Sequence, residues 1–349
     1  GETYPDKGLA GGAVAFKLMQ GLLKKYHETN QTLPDGQSPE SWEKWLLDMA
    51  AIASVADMVP LLGESRTLTK FGLLVLNKTR RIGLQKLLLK ARLLEEDGSP
   101  KRELSADTIG FQIAPRLNAA GRMNHANAAY NLLITTDAEE AAQLACELNK
   151  NNEERQKMTE DLVKEAVKQV AEAQSDKPIL FITGKNWSTG IVGLIAGKIK
   201  DKYYKPCLVL AINGEVTGSG RSIEGFSLIG ALQKIPQYFD KFGGHPMACG
   251  FTLKSEELIE NFKTELTQIF NEETKNLDLH PSLAIDAEVD LDAVNWKLHD
   301  TLEKFQPFGQ NNEKPKYLAR NLTITGLEPV GKTKKHLRIM VKHNSQKIR

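Results

Sequence analysis

Two short stretches put glycines beside residues that can handle a phosphate. In "TGSGRS", the hydroxyls of Ser219 and Ser222 flank Arg221 among glycines that let a ligand approach the backbone closely. Guanidinium and hydroxyl donors both match phosphate oxygens. In "KFGGHPMACGF", Gly243 and Gly244 frame His245, and Pro246 stiffens the chain beyond it. The letters predict a glycine-rich turn in each case, the second joining a helix to a strand. An ordinary turn with a solvent-exposed Arg, and a structural His, would also account for them. They become one site if both turns lie on one edge of an open α/β layer and face one cleft.

Two further groups invite chemistry. "FQIAPRLNAAGRMNHA" sets Arg116, Asn118 and Arg122 around Pro115 and Gly121 in an otherwise apolar helical run. Such donors are costly if buried unpaired. They suit a groove for a phosphate backbone, and bonds to neighbouring carbonyls would serve them as well. "ASVADMVPLLGESR" carries Asp57 in an apolar run ended by Pro60. A carboxylate there needs a cation, a cap or a metal. A Mg²⁺ or Mn²⁺ site takes several oxygen or imidazole ligands, and the sequence has no Asp-x-Asp and no His-His. From the residues alone, Asp57 reads as a cap.

Several elements must position these residues. Residues 1–136 read as mostly helical, with Pro39 in the first turn of a helix running on through "SWEKWLLDMAAIASVADM". Residues 137–175 carry charge, a thin apolar stripe and neither Pro nor Gly, which predicts a long connecting helix. Residues 176–277 then alternate short apolar strands with helices, the last opened by Ser255 as cap, as in a small α/β domain. Beyond the His280–Pro281 break, residues 278–349 read as strands of an incomplete small barrel.

At 349 residues, 41% apolar and 26% charged, the chain can bury cores in two or three domains. No apolar run is long enough to span a membrane, and no basic-then-apolar leader is present. Cys146, Cys207 and Cys249 have no paired spacing, which fits a reducing compartment and predicts a cytoplasmic protein. Net charge is only +2, yet Lys332, Lys334, Lys335, Arg338, Lys342, Lys347 and Arg349 form a strip without acids. That strip is either a phosphate-facing surface or a solvated edge.

In this order, "YPDKGLAGGAVAFKL", "SVADMVPLLGESR", "APRLNAAGRM", "GSGRSIEGFSL", "FGGHPMACGFTL" and "LEKFQPFGQNNEKP" resemble the RecJ family of the DHH phosphoesterase superfamily. The resemblance implies the back part of a DHH catalytic domain, a linker helix, a DHH-associated α/β domain and part of an OB fold. It implies a monomeric enzyme removing nucleotides from the 5′ end of single-stranded DNA in repair and recombination, with Mn²⁺ or Mg²⁺ activating water. A helicase and a single-strand-binding protein are the partners such an enzyme would meet. It further implies that Asp57 is a metal ligand and that Arg116, Asn118 and Arg122 line the DNA channel. Ser219 and Arg221 would take the terminal 5′-phosphate, and Gly243, Gly244 and His245 would sit at the active-site cleft.

Two departures stand against the pattern. The early aspartates and the Asp-His-His motif would precede Gly1, so the chain is expected to be a fragment cut at both ends and inactive alone. Ser188 stands in "NWSTGIVG" where these proteins commonly carry His. Two other readings are a binding-only single-stranded nucleic-acid protein and a phosphoesterase acting on short oligonucleotides or cyclic dinucleotides. The basic tail and barrel-like region speak against the latter.

Overall fold

A computed structural model describes residues 3–123, 127–331, 334–343 and 346–348. The chain divides into two compact units, 1–114 with 283–349, and 115–282.

The first unit opens with helices α1 (Gly11–His27), α2 (Pro39–Trp45), α3 (Leu47–Ala56), α4 (Gly63–Leu76) and α5 (Ile82–Lys90). Ser38 caps α2 by accepting the Ser41 N–H, and Pro39 takes the first position, where its missing N–H costs nothing. The single long helix expected from Pro39 onward is instead two, broken at Leu46. Helix α3 lies between its neighbours at close range. A Cβ on Gly12 of α1 would stand 2.5 Å from Ala53, and one on Gly72 of α4 would stand 2.2 Å from the Leu47 carbonyl. Asp48, almost fully buried at the start of α3, takes the Met49 N–H and pairs with Arg81 Nε at 2.9 Å. Helix α6 (Ala106–Thr108) runs into a π turn, Ile109–Ile113, just before Pro115. Proline has no N–H for the α-helical ladder, and the wider turn absorbs the break.

In the second unit come α7 (Ala114–Met123), α8 (Asn127–Ile134) and α9 (Ala138–Ala173), 36 residues capped by Asp137. A five-stranded sheet follows: β1 (Leu180–Lys185), α10 (Val192–Tyr203), β2 (Cys207–Asn213), β3 (Glu215–Arg221), α11 (Leu228–Lys234), β4 (Phe239–His245), β5 (Ala248–Leu253) and α12 (Ile259–Thr274). Strand order is β1-β2-β3-β5-β4, parallel only between β1 and β2. Helices α11 and α12 pack one face through Leu228, Leu232, Phe262 and Leu266. Helices α9 and α10 cover the other face over β1 and β2, through Ala166, Val170, Ile195 and Ile199.

Three expectations are corrected here. "TGSGRS" is strand β3, not a turn: Gly218 and Gly220 alternate with Ser219 and Arg221, and their bare faces meet the Phe251 ring, Cys249 and Leu228. "FGGH" is likewise the end of strand β4, hairpinned through Pro246 and Met247 into β5. Ser255 makes no side-chain cap, and a 3₁₀ turn, Glu256–Leu258, leads into α12.

The chain returns to the first unit with β6 (Ala287–Glu288), α13 (Trp296–Glu303), β7 (Tyr317–Leu318), β8 (Thr323–Val330), β9 (His336–His343) and β10 (Gln346–Ile348). Helix α13, capped by Asn295, interrupts the run of strands that alternation alone suggests. Among the described residues no helix is long and apolar enough to cross a membrane.

A candidate phosphate-binding cleft

Register builds the cleft. Arg221 of β3 lies opposite Ala248 of β5, which lies opposite His245 of β4. Two residues along, on the same face, Ser219, Gly250 and Gly243 stand in line. Residues directly opposite share a face, so Arg221 and His245 project from the same face, two strands and roughly 10 Å apart. Small residues lie between them. A Cβ at Gly243 would meet nothing within 4 Å, so the backbone there is open to a ligand. Gly244 differs: with φ at +147°, its Cβ would fall 2.3 Å from the Ala248 carbonyl oxygen, so the hairpin itself requires glycine.

The side chains are held in place. Arg221 Nη1 donates to Ser219 Oγ at 3.1 Å and to the Gly220 carbonyl at 2.8 Å. Ser219 Oγ donates to the Cys249 carbonyl at 3.1 Å. The first turn of α10 closes on this pair: a Cβ at Gly193 would lie 2.9 Å from Arg221 Nη2 and 3.1 Å from Ser219 Oγ. A 12-residue helix without a side-chain cap therefore brings its positive end to the Arg–Ser pair, an arrangement that favours an anion. Gly193 escaped the sequence reading because its role appears only when α10 folds back over β3. The signal was the unexplained glycine in "GIVG". Ser222 does not join the cleft; it is buried and donates to the Phe226 carbonyl at 2.7 Å. Ser188 lies ahead of α10, where its carbonyl accepts the Ile191 N–H.

His245 is exposed, and its imidazole has no hydrogen bond among the described residues. Nucleophilic chemistry by the two buried thiols of the sheet is disfavoured. Burial pushes the Cys249 thiol up to about 11 and raises Cys207 further still.

Arg116 of α7 is half-buried, donates from Nε to Asn149 Oδ1 of α9 at 3.0 Å, and has its pKa lowered by that burial. Asn149 in turn donates to Glu153 Oε1 at 2.9 Å. Asn118 is exposed, and the Arg122 side chain lies outside the described residues. In the basic strip, Arg338 is engaged by Glu328 at 3.0 Å, while Lys334, Lys335 and Lys342 are exposed. Lys332, Arg349 and the side chain of Lys347 lie outside the described residues.

Asp57 belongs to the first unit, as the exposed residue capping the C-terminus of α3. The Met58 N–H reaches the Val55 carbonyl and the Val59 N–H the Ser54 carbonyl, while Met58 takes φ +54°. This is a left-handed helix stop in which glycine is the usual occupant. The Asp57 carboxylate thus sits at the negative end of a helix dipole with no hydrogen bond or ion pair among the described residues, a placement that favours a cation beside it. It supplies one carboxylate. The described residues contain no cluster of three or more His, Cys, Asp or Glu able to hold a metal, so on their own they do not build a metal centre.

A DHH-associated domain followed by an OB domain is the class this architecture defines: residues 176–272 match the DHHA1 domain and residues 285–349 the RecJ OB domain. Over its whole length the chain is similar to RecJ proteins. It is 35% identical to the single-stranded-DNA-specific exonuclease RecJ of Bacillus subtilis (strain 168), across 100% of this chain and 42% of that protein. With the RecJ of Dickeya dadantii (strain 3937) it shares 31% identity over 97% of this chain and 59% of that one. The crystal structure of RecJ from Thermus thermophilus in complex with Mg²⁺ superposes with a TM-score of 0.79 at 25% identity, covering 99% of this chain and 50% of that one. A second, with Mn²⁺, gives 0.74 at 26% identity. The chain spans about half the length of the curated relatives it matches.

Proposed function

We propose that this chain is part of a metal-dependent exonuclease that removes nucleotides from the 5′ end of single-stranded DNA in repair and recombination. The observation that carries this reading is the Ser219–Arg221 pair beneath the α10 N-terminus, with His245 on the same glycine-floored face. Arg221 and Ser219 take the terminal 5′-phosphate, and the helix end adds its partial positive charge. Gly243 lets the strand lie against the sheet. His245, at the rim, is placed to donate a hydrogen bond or proton to the phosphodiester that comes next. Arg116 and Asn118 extend the donor surface along α7.

The relatives solved with Mg²⁺ or Mn²⁺ extend that cofactor to this protein, where a bound ion would activate water. Asp57 is the residue here suited to touch it. No hydrolytic step is routed through the ion, because the described residues do not place two further donors beside that carboxylate.

The test is equilibrium binding, without metal, to one labelled single strand ending in a 5′-phosphate or a 5′-hydroxyl. The phosphate should tighten binding, and Arg221→Ala should erase the difference at the same salt. Equal affinity for both ends in the unaltered protein would remove the end-sensing role and with it the exonuclease reading.

A further inference from the structure

The first unit contains a second device, built from the "KFQPFGQNN" segment. Three contacts tie it to the stretch just after Asp57. The Leu61 N–H donates to the Gln310 carbonyl at 2.8 Å. Arg66 Nη2 donates to the Lys304 carbonyl at 3.2 Å and to the Gln306 carbonyl at 3.1 Å. Gly309 packs so closely on buried Leu61 that a Cβ there would lie 2.6 Å from Leu61 Cδ1. The segment is rigid in itself. Gly309 and Asn312 exchange backbone bonds of 2.9 and 3.1 Å, and Asn312 Nδ2 donates to the carbonyls of Phe305 and Pro307 at 3.0 and 2.8 Å.

We infer that residues 304–312 act as a clasp that fixes the direction of the Asp57 carboxylate, with Gly309 and Arg66 as its positioning residues. The inference rests on the role given to Asp57 above. The corner from Asp57 to Leu61 is anchored at one end by the helix stop on Ser54 and Val55. Its other end is held through Leu61, which the clasp grips, and through the start of α4, where the clasp accepts from Arg66 and where Glu64 accepts from Tyr4 and pairs with Lys17. Between the anchors stand Met58, in its left-handed conformation, and Pro60, which restricts the residue before it. With both ends fixed, few conformations remain for Asp57. With the clasp open, Met58 can relax and the carboxylate swings. The contact is mixed: Leu61 and Pro307 are buried, while Phe305 remains 53% exposed and Gln310 is exposed. The segment uses its polar groups to aim backbone.

The test uses the intact enzyme, with steady-state cleavage of a 5′-phosphorylated strand, thermal unfolding, and hydrogen exchange at the Leu61 amide. Gly309→Ala should lower kcat by roughly 10- to 100-fold, the cost of an ångström-scale misplacement, with KM unchanged. It should speed Leu61 exchange, and Leu61→Val in the same chain should restore kcat by making room for the new methyl. Should Gly309→Ala fail to fold, Arg66→Ala, which adds no atoms, meets the same criteria, with Arg66→Lys recovering part of the loss. Leu61 exchange that accelerates while kcat holds within twofold would overturn the clasp. So would a fall in kcat that merely tracks a fall in melting temperature. Asp57→Asn separates the two ideas. If it retains full turnover, the role of Asp57 fails and the clasp with it; if it is inactive while Gly309→Ala is normal, only the clasp fails.

Discussion

Gly193→Ala is the sharpest probe of the phosphate cleft, because it separates recognition from stability. The added methyl would stand 2.9 Å from Arg221 Nη2 and 3.1 Å from Ser219 Oγ. Ordinary contact begins near 3.5 Å, so the guanidinium must retreat by roughly 0.6 Å or more. That movement is inexpensive for the fold, since Nη2 is the far end of a flexible side chain, and alanine is the better helix former by up to about 1 kcal/mol. The melting temperature should therefore stay level or rise slightly. Recognition should suffer instead. A charge-assisted bond to a phosphate contributes about 1.5–3 kcal/mol, or roughly 10- to 150-fold in Kd. Displacing Arg221 should remove most of that preference. The assay is fluorescence anisotropy with matched 5′-phosphoryl and 5′-hydroxyl strands at one salt concentration, since salt alone shifts affinity strongly. Full retention of the phosphate preference in a folded Gly193→Ala protein would refute the idea that α10 and Arg221 form one anion site.

Three further predictions concern the β4–β5 hairpin under the cleft and the buried ion pair of the first unit. Gly244→Ala should cost at least about 1–3 kcal/mol in urea unfolding, because it strains an essentially glycine-only backbone conformation and clashes with a carbonyl. Gly243→Ala should leave stability within about 0.5 kcal/mol but weaken strand binding by raising the cleft floor. Arg81→Met should cost about 3 kcal/mol at neutral pH by leaving buried Asp48 without its cation. Burial already holds the folded Asp48 pKa above its ordinary value, and Arg81 opposes that rise. A raised folded pKa gives stability that is present below the unfolded value and lost as pH rises through the folded one. Without Arg81 the rise grows, so the deficit should be widest at neutral pH and narrow as the solution is acidified toward about pH 4, tracked by urea midpoints against pH.

Local signals in the sequence were faithful where local physics decides. Pro39 takes the first turn of α2, the uninterrupted charged stripe becomes α9, and the first two apolar runs of residues 176–277 become β1 and β2. The glycine-rich stretches misled because glycine was taken for turn chemistry. In β3 the glycines recur every second residue, which is strand periodicity, and they exist because an aromatic ring and a thiol occupy the space their side chains would fill. The meeting of Ser219, Arg221 and His245 rests on an antiparallel register across three strands, and the nearness of Gly193 on a helix packed over the sheet. No spacing along the chain encodes either. Asp57 read as a cap, yet it ends α3 through its backbone alone; that its carboxylate has no partner among the described residues was invisible until the neighbouring side chains were placed.

The first unit is made from two lengths of chain with the whole second unit between them. Arg66 waits for a carbonyl 240 residues downstream. At about 5–20 residues per second of synthesis, that interval is roughly 12–50 seconds. During it the second unit, with its phosphate cleft, has its entire sequence available to fold first. The corner bearing Asp57 is secured only when residues 304–312 emerge. A nascent chain can therefore complete the Arg221 cleft before its Asp57 corner is locked, so the order of translation sets the order in which the two regions form.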